Sequence, residues 1–349
     1  IEYMAQVAFT SIDSFPIMAI PFFIAAGVFM GAGGLSHRLL SLADEIVGGT
    51  YGGIGLTAIV TCMFFGAISG SGPATVAAIG ALTIPAMVER GYDKFFSAAL
   101  VAAAGCVGVM IPPSNPFVVY GISAQVSIGD LFMSGIVPGV LVGAVLMGYC
   151  YWYSRKQGWK GQEKVRNSQT LMRAAWEAKW ALMVPVIVLG GIYSGIFSPT
   201  QAASVACAYS LFLGVVIYRG VNWKVFMDAL VETVRLSSMI YFLVIGGDLF
   251  GRVLGYVGLP QMICEWVIGM ELGPVTFLFA VQGLLLVMGF FFSSFPMVVI
   301  VLPLFLPSVN ALGIDPALYG ALAVFCSIIG EVTPPMGPQL WIAAPICKV

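Results

Sequence analysis

The chain has 349 residues, of which 60% are hydrophobic and 9% charged, with a formal net charge of −1. An ordinary soluble domain is about 25% charged, so this composition describes a polytopic helical membrane protein with no soluble domain large enough to own a core. The near-neutral balance implies no nucleic-acid partner, and the seven cysteines stand singly in apolar stretches without a CxxC pair, as small core hydrophobes rather than disulfides or metal ligands.

Phe15 to Met30 is the first apolar run, and most such runs reach or approach the ~20 residues that cross a bilayer as helix. Ser36 to Val47 sets apolar residues at helical spacing with His37, Arg38, Asp44 and Glu45 between them, which predicts a helix over 36–48 lying along the membrane interface. That position makes His37, the one histidine, interfacial rather than catalytic. Next, Ile54 to Ile68 runs into Ser69-Gly70-Ser71-Gly72-Pro73. A limb of about 15 residues is short for a full crossing, so 52–88 is predicted as a re-entrant helical hairpin that enters and leaves on one face. Asp93 is placed to cap the next helix, and the run 94–125 breaks at Ile111-Pro112-Pro113-Ser114-Asn115-Pro116. Leu131 to Tyr153 is a full span.

Between Tyr153 and Trp180 lie Arg155, Lys156, Lys160, Lys164, Arg166, Arg173 and Lys179, close to half of the chain's 15 Lys and Arg. The positive-inside rule makes this 154–179 loop cytoplasmic, dividing a first unit, 1–153, from a second, 180–349. Trp180 to Phe197 and Ala202 to Tyr218 return the chain to the cytoplasm at Arg219 and Lys224, and Met239 to Phe250 carries it out again. Asp248 and Arg252 stand one helical turn apart, placed to neutralise each other. An amphipathic helix over 259–270, a hairpin over 273–309 and a broken helix over 316–349 follow. Their breaks fall at Ser293-Ser294-Phe295-Pro296, after the run Val275 to Phe292, and at Thr333-Pro334-Pro335-Met336-Gly337-Pro338, with Asp315 as a second cap. Trp152, Trp159, Trp176, Trp180 and Trp223 sit near predicted boundaries as interface anchors.

The two units are copies. Shifted by 222 residues, Pro85, Gly91, Asp93, Gly108, Pro112, Pro113 and Pro116 fall on Pro307, Gly313, Asp315, Gly330, Pro334, Pro335 and Pro338. With 20 prolines in the chain, four coincidences at one offset indicate internal duplication. The turn Glu89 to Lys94 carries two cations where its copy, Asn310 to Asp315, has none. Gly255 to Gly273 carries Glu265 and Glu271 without Lys or Arg, Arg252 being the nearby exception. The copies are therefore expected to run in opposite directions across the membrane, and their mismatch at the chain ends suggests roughly one further span beyond each terminus.

Four breaks at matching places in two inverted units point to a transport site. Consecutive prolines remove backbone donors and leave carbonyls of the preceding turn unpaired, which is costly in hydrocarbon. Together with Ser, Thr and Asn oxygens such carbonyls suit a small hard cation, with sodium the obvious candidate, while half-helix N-termini suit an anionic substrate. Glu331, whose counterpart is Val109, is a carboxylate beside a break. Intramembrane carboxylates are functional by default, although a position facing a cytoplasmic cavity would leave it no direct role with an ion.

Phe15-Pro16-Ile17-Met18-Ala19-Ile20-Pro21, Phe65-Gly66-Ala67-Ile68-Ser69-Gly70-Ser71, Ile84-Pro85-Ala86-Met87, Arg90-Gly91-Tyr92, Ile111-Pro112-Pro113-Ser114, Gly135-Ile136-Val137-Pro138-Gly139 and Ser198-Pro199-Thr200-Gln201-Ala202-Ala203 strongly resemble the large membrane subunit of TRAP (tripartite ATP-independent periplasmic) transporters, over essentially the whole chain. The resemblance implies an elevator-type secondary transporter in the bacterial inner membrane, driven by sodium as coupling ion and importing an organic acid anion such as sialic acid or a C4-dicarboxylate. It also implies a periplasmic substrate-binding protein and a small four-helix membrane subunit as partners, and no further cofactor. Carried over by motif, Ser69, Gly70, Ser71, Ile111, Ser114 and Asn115 line one sodium site, and Ser293, Ser294, Gly330, Thr333, Met336 and Gly337 the other, several through backbone carbonyls. Gly72, Pro73, Asn115, Pro296 and Pro335 face the substrate, and the amphipathic segments correspond to arm helices that clamp a scaffold to the mobile part.

Other classes explain less. A channel, or a binding-protein-independent sodium/anion symporter of related fold, shares the breaks and differs in its requirement for a binding protein. An intramembrane serine protease built on Ser69 or Ser71 lacks a base, since His37 lies outside the breaks and no HExxH or paired intramembrane aspartates occur. No Walker motif is present, so ATP is not the direct energy source.

Overall fold

The computed structural model describes residues 2–161 and 168–347. Lys164 and Arg166 of the basic stretch lie outside the described residues, as do the outermost positions of the two units. All elements are helical, and no strand occurs among the described residues. In chain order come α1 (Glu2–Ile12), a 3₁₀ turn (Phe15–Met18), α2 (Ala19–Ala32), α3 (Leu35–Val47), α4 (Gly53–Ser69), α5 (Gly72–Glu89), α6 (Lys94–Met110), α7 (Asn115–Ala124) and α8 (Ile128–Gln157). The second half contains α9 (Ser168–Tyr193), α10 (Pro199–Phe212), α11 (Trp223–Tyr256), α12 (Leu259–Gly269), α13 (Pro274–Gly289), α14 (Ser294–Pro296), α15 (Leu302–Ala311), α16 (Pro316–Gly330) and α17 (Pro338–Cys347). Seven helical segments among the described residues are long and apolar enough to cross a membrane, and the α6–α7 pair, bent by 44°, would make an eighth.

Inversion of the two units follows from counting crossings. Gly70 and Ser71 alone separate α4 from α5, which pack on each other, so this pair turns back on itself and leaves the membrane on the face it entered. The α6–α7 pair then crosses, followed by α8, α9, α10 and α11. That odd number of crossings places α12 on the face opposite α3. An all-α fold results, with inverted repeats that each contain a short helix, a hairpin and a broken helix.

Local chemistry sets the ends of these elements. Asp93 Oδ1 accepts from the Phe96 N–H at 2.8 Å and Asp315 Oδ1 from the Ala317 N–H at 2.9 Å, capping α6 and α16. Ser198 and Gln201 form a reciprocal capping box at the start of α10, and Thr200 Oγ1 donates to the Phe15 carbonyl at 3.1 Å, joining two distant sequence motifs. Along α3 the buried residues Leu35, Leu39, Leu42 and Ala43 form one face, with His37 exposed. The two described ends of the basic stretch, 154–157 and 168–179, are helical. Arg155 and Lys156 belong to the last turn of α8, and Lys179 of α9 lies 3.0 Å above the Trp176 ring, because Lys and Trp side chains favour a helix that continues past the hydrocarbon edge. Asp248 and Arg252 pair at 3.1 Å, and Ser11 Oγ donates to the same carboxylate at 2.6 Å.

Two glycine crossings position the breaks. A Cβ added to Gly66 of α4 would stand 2.4 Å from Gly108 Cα of α6, and one added to Gly289 of α13 would stand 2.6 Å from Gly330 Cα of α16. In lipid, helices associate through close packing of small residues rather than a hydrophobic drive. Beyond its break each half-helix packs on the other repeat: α17 lies against α5 and α6, while α7 lies against α15 and α16. Phe117 meets Phe325 edge-on at 5.9 Å, and the Tyr120 hydroxyl donates to the Pro316 carbonyl at 2.9 Å.

These crossings leave no room for a side chain. Gly66→Ala and Gly289→Ala are each expected to destabilise the purified protein by about 1–3 kcal/mol, the range for overpacking, whereas Gly283→Ala, which meets nothing within 4 Å, is neutral or slightly stabilising. Thermal unfolding of the three variants in detergent checks this.

Candidate functional site

In the first repeat the hairpin tip and the helix break form one cluster. α4 ends at Ser69, and Gly70 turns the chain with a left-handed φ of 59° that favours glycine. Ser69 Oγ lies 3.1 Å from Thr75 Oγ1, which donates to the Ser71 carbonyl at 2.8 Å. Across the tip, α6 ends at Met110, and α7 begins at Asn115 with Ser114 as its N-cap residue. The Asn115 N–H donates to the Gly70 carbonyl at 3.4 Å, and a Cβ on Gly70 would lie 3.2 Å from Asn115 Nδ2. Ser69, Gly70, Ser71, Ser114 and Asn115 are thus brought together. The Ile111 side chain instead meets α8 at Gly139, whose added Cβ would lie 2.9 Å from Ile111 Cγ1.

Asn115 is 1% exposed, yet neither its Oδ1 nor its Nδ2 has a partner, and the Ser114 Oγ is buried and unpartnered as well. Buried polar groups are nearly always hydrogen-bonded, so three unsatisfied atoms at one break mark a cradle for a polar ligand. The amide offers an acceptor and two donors, the hydroxyl one donor and two lone pairs. Oxygens of this kind suit a hard alkali cation or the polar edge of an organic anion.

The second cluster repeats the backbone with different side chains. α13 stops at Gly289, so the hairpin opens over 290–293, earlier than the Ser293–Pro296 stretch, and Ser293 becomes the N-cap residue of the one-turn α14, ahead of Pro296. The Met336 N–H donates to the Phe290 carbonyl at 3.2 Å, tying break to hairpin, and the Thr333 N–H donates to the Gly330 carbonyl at 2.9 Å. Gly337 is buried and its N–H donates to the Thr333 carbonyl at 3.2 Å, while the side chains of Pro335 and Met336 are exposed. Met336 therefore takes part through its backbone. Ser294 is buried, and both its N–H, at 2.9 Å, and its hydroxyl donate to Glu331 Oε1.

Glu331 gains a third donor in Gln339 Nε2, 2.6 Å from Oε2. The same Nε2 would lie 2.6 Å from a Cβ on Gly72 of α5, so one amide bridges the second break to the first hairpin, beside Pro73. Sequence reasoning missed Gln339 and Thr75. The available signals were a lone polar residue in the apolar half-helix after a break, and a threonine one turn beyond Ser71.

A cavity of about 430 Å³ reaches the first hairpin tip, lined by Gly27, Phe65, Ser69, Ser71, Asp228 and Glu232. Gly27 is required there, since its added Cβ would fall 2.5 Å from Ser69 Cα. A larger hollow of about 880 Å³, with Gln125, Asp130 and Tyr193 in its wall, lies at the other end of α7, about 15 Å of helix from Asn115. It contains no break residue.

Because the Asn115 amide has no partner within the protein, Asn115→Leu is expected to leave thermal stability in ligand-free buffer unchanged or raise it by about 1–2 kcal/mol. A lowered midpoint in thermal unfolding would show that the amide is structural.

Residues 1–349 match the family model described as Tripartite ATP-independent periplasmic transporter, DctM component. The chain is 58% identical over 348 residues to the Oleidesulfovibrio alaskensis protein named isethionate TRAP transporter permease protein DctMQ, which covers 100% of this chain and 55% of that protein. It thus spans little more than half of that relative's length. The Pseudomonas aeruginosa C4-dicarboxylate TRAP transporter large permease protein DctM is 39% identical over 346 residues, 99% of this chain and 81% of that one. Among solved structures, the Alcanivorax borkumensis YdaH transporter shares the fold with a TM-score of 0.69 at 16% identity, over 99% of this chain and 81% of the other.

Proposed function

This chain belongs to the DctM-component family of tripartite ATP-independent periplasmic transporters, and from that premise we propose that it is the large membrane subunit of a sodium-coupled importer of a small organic anion. The single observation that carries the reading is the unsatisfied Ser114–Asn115 pair at the first break, held against the hairpin tip of Ser69, Gly70 and Ser71. One cation site is built from these oxygens, and Ile111 contributes main chain at the same break. The other is built from Ser293, Ser294, Gly330, Thr333, Met336 and Gly337.

The substrate occupies the space between the hairpin tips, near Gly72, Pro73, Asn115, Pro296 and Pro335. There the N-termini of α5 and α7 offer backbone N–H groups to an anion. Isethionate is the first substrate to test, because the 58% identical relative carries that name; C4-dicarboxylates and sialic acid follow. Delivery by a periplasmic binding protein, a small four-helix membrane partner and residence in the bacterial inner membrane complete the proposal.

Movement is of the elevator kind. The hairpins and broken helices slide as one body against the remaining helices, with α3 and α12 as arms. Two packing features support this division. The exchanged half-helices α7 and α17 bind the two repeats into one unit, and α3 packs on both α4 of that unit and α9 outside it.

Reconstitution of the full-length subunit with its small partner and binding protein, followed by organic-acid uptake with and without a sodium gradient, tests the reading. Ser69→Ala and Thr333→Ala are each expected to raise the sodium concentration for half-maximal uptake several-fold. If neither shifts it, the placement of the cation sites is wrong; uptake that proceeds without the binding protein would favour a stand-alone symporter.

A further inference from the structure

The two breaks share a backbone plan but differ in charge. At position 331 the second repeat carries a glutamate where the first has Val109, and the two side chains are 7% and 4% exposed. Glu331 is held by three donors, the Ser294 N–H and hydroxyl on Oε1 and Gln339 Nε2 on Oε2. Both of its oxygens therefore face N–H and O–H donors, surroundings that suit a carboxylate. These donors are neutral dipoles, which solvate the charge without cancelling it. The ion pairs Arg173–Glu177 and Arg252–Asp248 both lie on exposed helix faces, and neither involves Glu331.

A carboxylate buried at membrane depth is retained where a positive charge comes to it. The next residues along the chain, Thr333 to Gly337, form the break whose oxygens were assigned to the second cation, and Ser294 contributes to that cluster as well as to Glu331. We propose that Glu331 supplies the fixed negative charge of the second cation site, so that this site binds sodium more tightly than, and ahead of, its uncharged counterpart at Ser69–Asn115. The proposal rests on the reading that both clusters hold sodium. Glu331 acts as a positioning residue, because its oxygens are committed to Ser294 and Gln339. Its charge acts through space, and its hydrogen bonds hold the second hairpin tip in place. Through Gln339, which also lies against Gly72, occupancy of the second site is communicated to the first hairpin. An opposite charge within about 4–6 Å shifts an ionic equilibrium by one to three powers of ten, so the expected difference is tenfold or more.

The test is thermal unfolding of the full-length subunit, purified with its small partner, in mixtures of sodium chloride and choline chloride at constant ionic strength. The wild type is expected to rise in midpoint with sodium in two phases, one at least tenfold tighter than the other. Glu331→Gln loses the tight phase and keeps the weak one, whereas Glu331→Asp, which restores the charge, keeps both. Gln339→Lys sets an ammonium beside the carboxylate in place of the ion, so its sodium-free midpoint rises and the tight phase disappears. This second variant decides the matter if Glu331→Gln does not fold. An unaltered tight phase in Glu331→Gln or in Gln339→Lys overturns the inference while leaving two sodium sites intact. A wild-type midpoint indifferent to sodium overturns the sodium reading itself.

Discussion

At Gly66 and Gly108, and again at Gly289 and Gly330, two helix backbones meet so closely that an added carbon on any of the four would fall 3.0 Å or less from the opposing Cα. The two polar clusters at the breaks are arranged around these contacts. In hydrocarbon an interrupted backbone finds no water, so each freed N–H and C=O must be answered from within the protein. The glycine crossings bring the tip of a hairpin to the gap in its neighbouring helix. That proximity lets the Gly70 carbonyl accept from Asn115 and the Phe290 carbonyl accept from Met336. A side chain at any of the four positions would part the helices and leave those groups unanswered.

Exchange of the half-helices makes the two units one body. Had α7 and α17 stayed with their own repeats, each break would face lipid on one side. Instead α17 covers the first hairpin and α7 covers α15 and α16, sealed by the Phe117–Phe325 contact and by Tyr120 bonding to Pro316. The first break is thereby buried between the repeats, close to the cavity that reaches Ser69 and Ser71, whereas Pro335 and Met336 of the second stay exposed.

Much of this was legible in the residues. Duplicated prolines located the breaks, Asp93 and Asp315 announced their caps, and the charge pattern of 36–47 marked an amphipathic helix. The hairpin in the second repeat was harder to place: α13 ends at Gly289, several residues before Ser293 and inside the unbroken apolar run Val275 to Phe292, where hydropathy marks no stop. The helical course of 154–157 and 168–179 was likewise hidden, since hydropathy sees where lipid ends but not where a helix ends. Gln339 was invisible for a third reason. Its role depends on reaching Glu331 eight positions earlier and Gly72 in the other repeat, and no periodicity reports a contact that spans both.

Duplication copied the frame, and divergence then gave each frame its own chemistry. In the first repeat the polar atoms are neutral and three of them have no partner, so the cluster bears an unmet hydrogen-bonding demand that a ligand can satisfy. In the second, Ser294 and Gln339 Nε2 are engaged by Glu331 while the buried Gln339 Oε1 has no partner, so this cluster adds a carboxylate to one unpaired acceptor. These are different physical invitations. Unpaired dipoles favour whatever polar group fits their geometry, cation or anion edge, whereas a buried carboxylate favours positive charge alone and repels an anion. Under the proposed function, a site made from both distinguishes an ion from an organic acid by position, even though the two backbones around it are near copies.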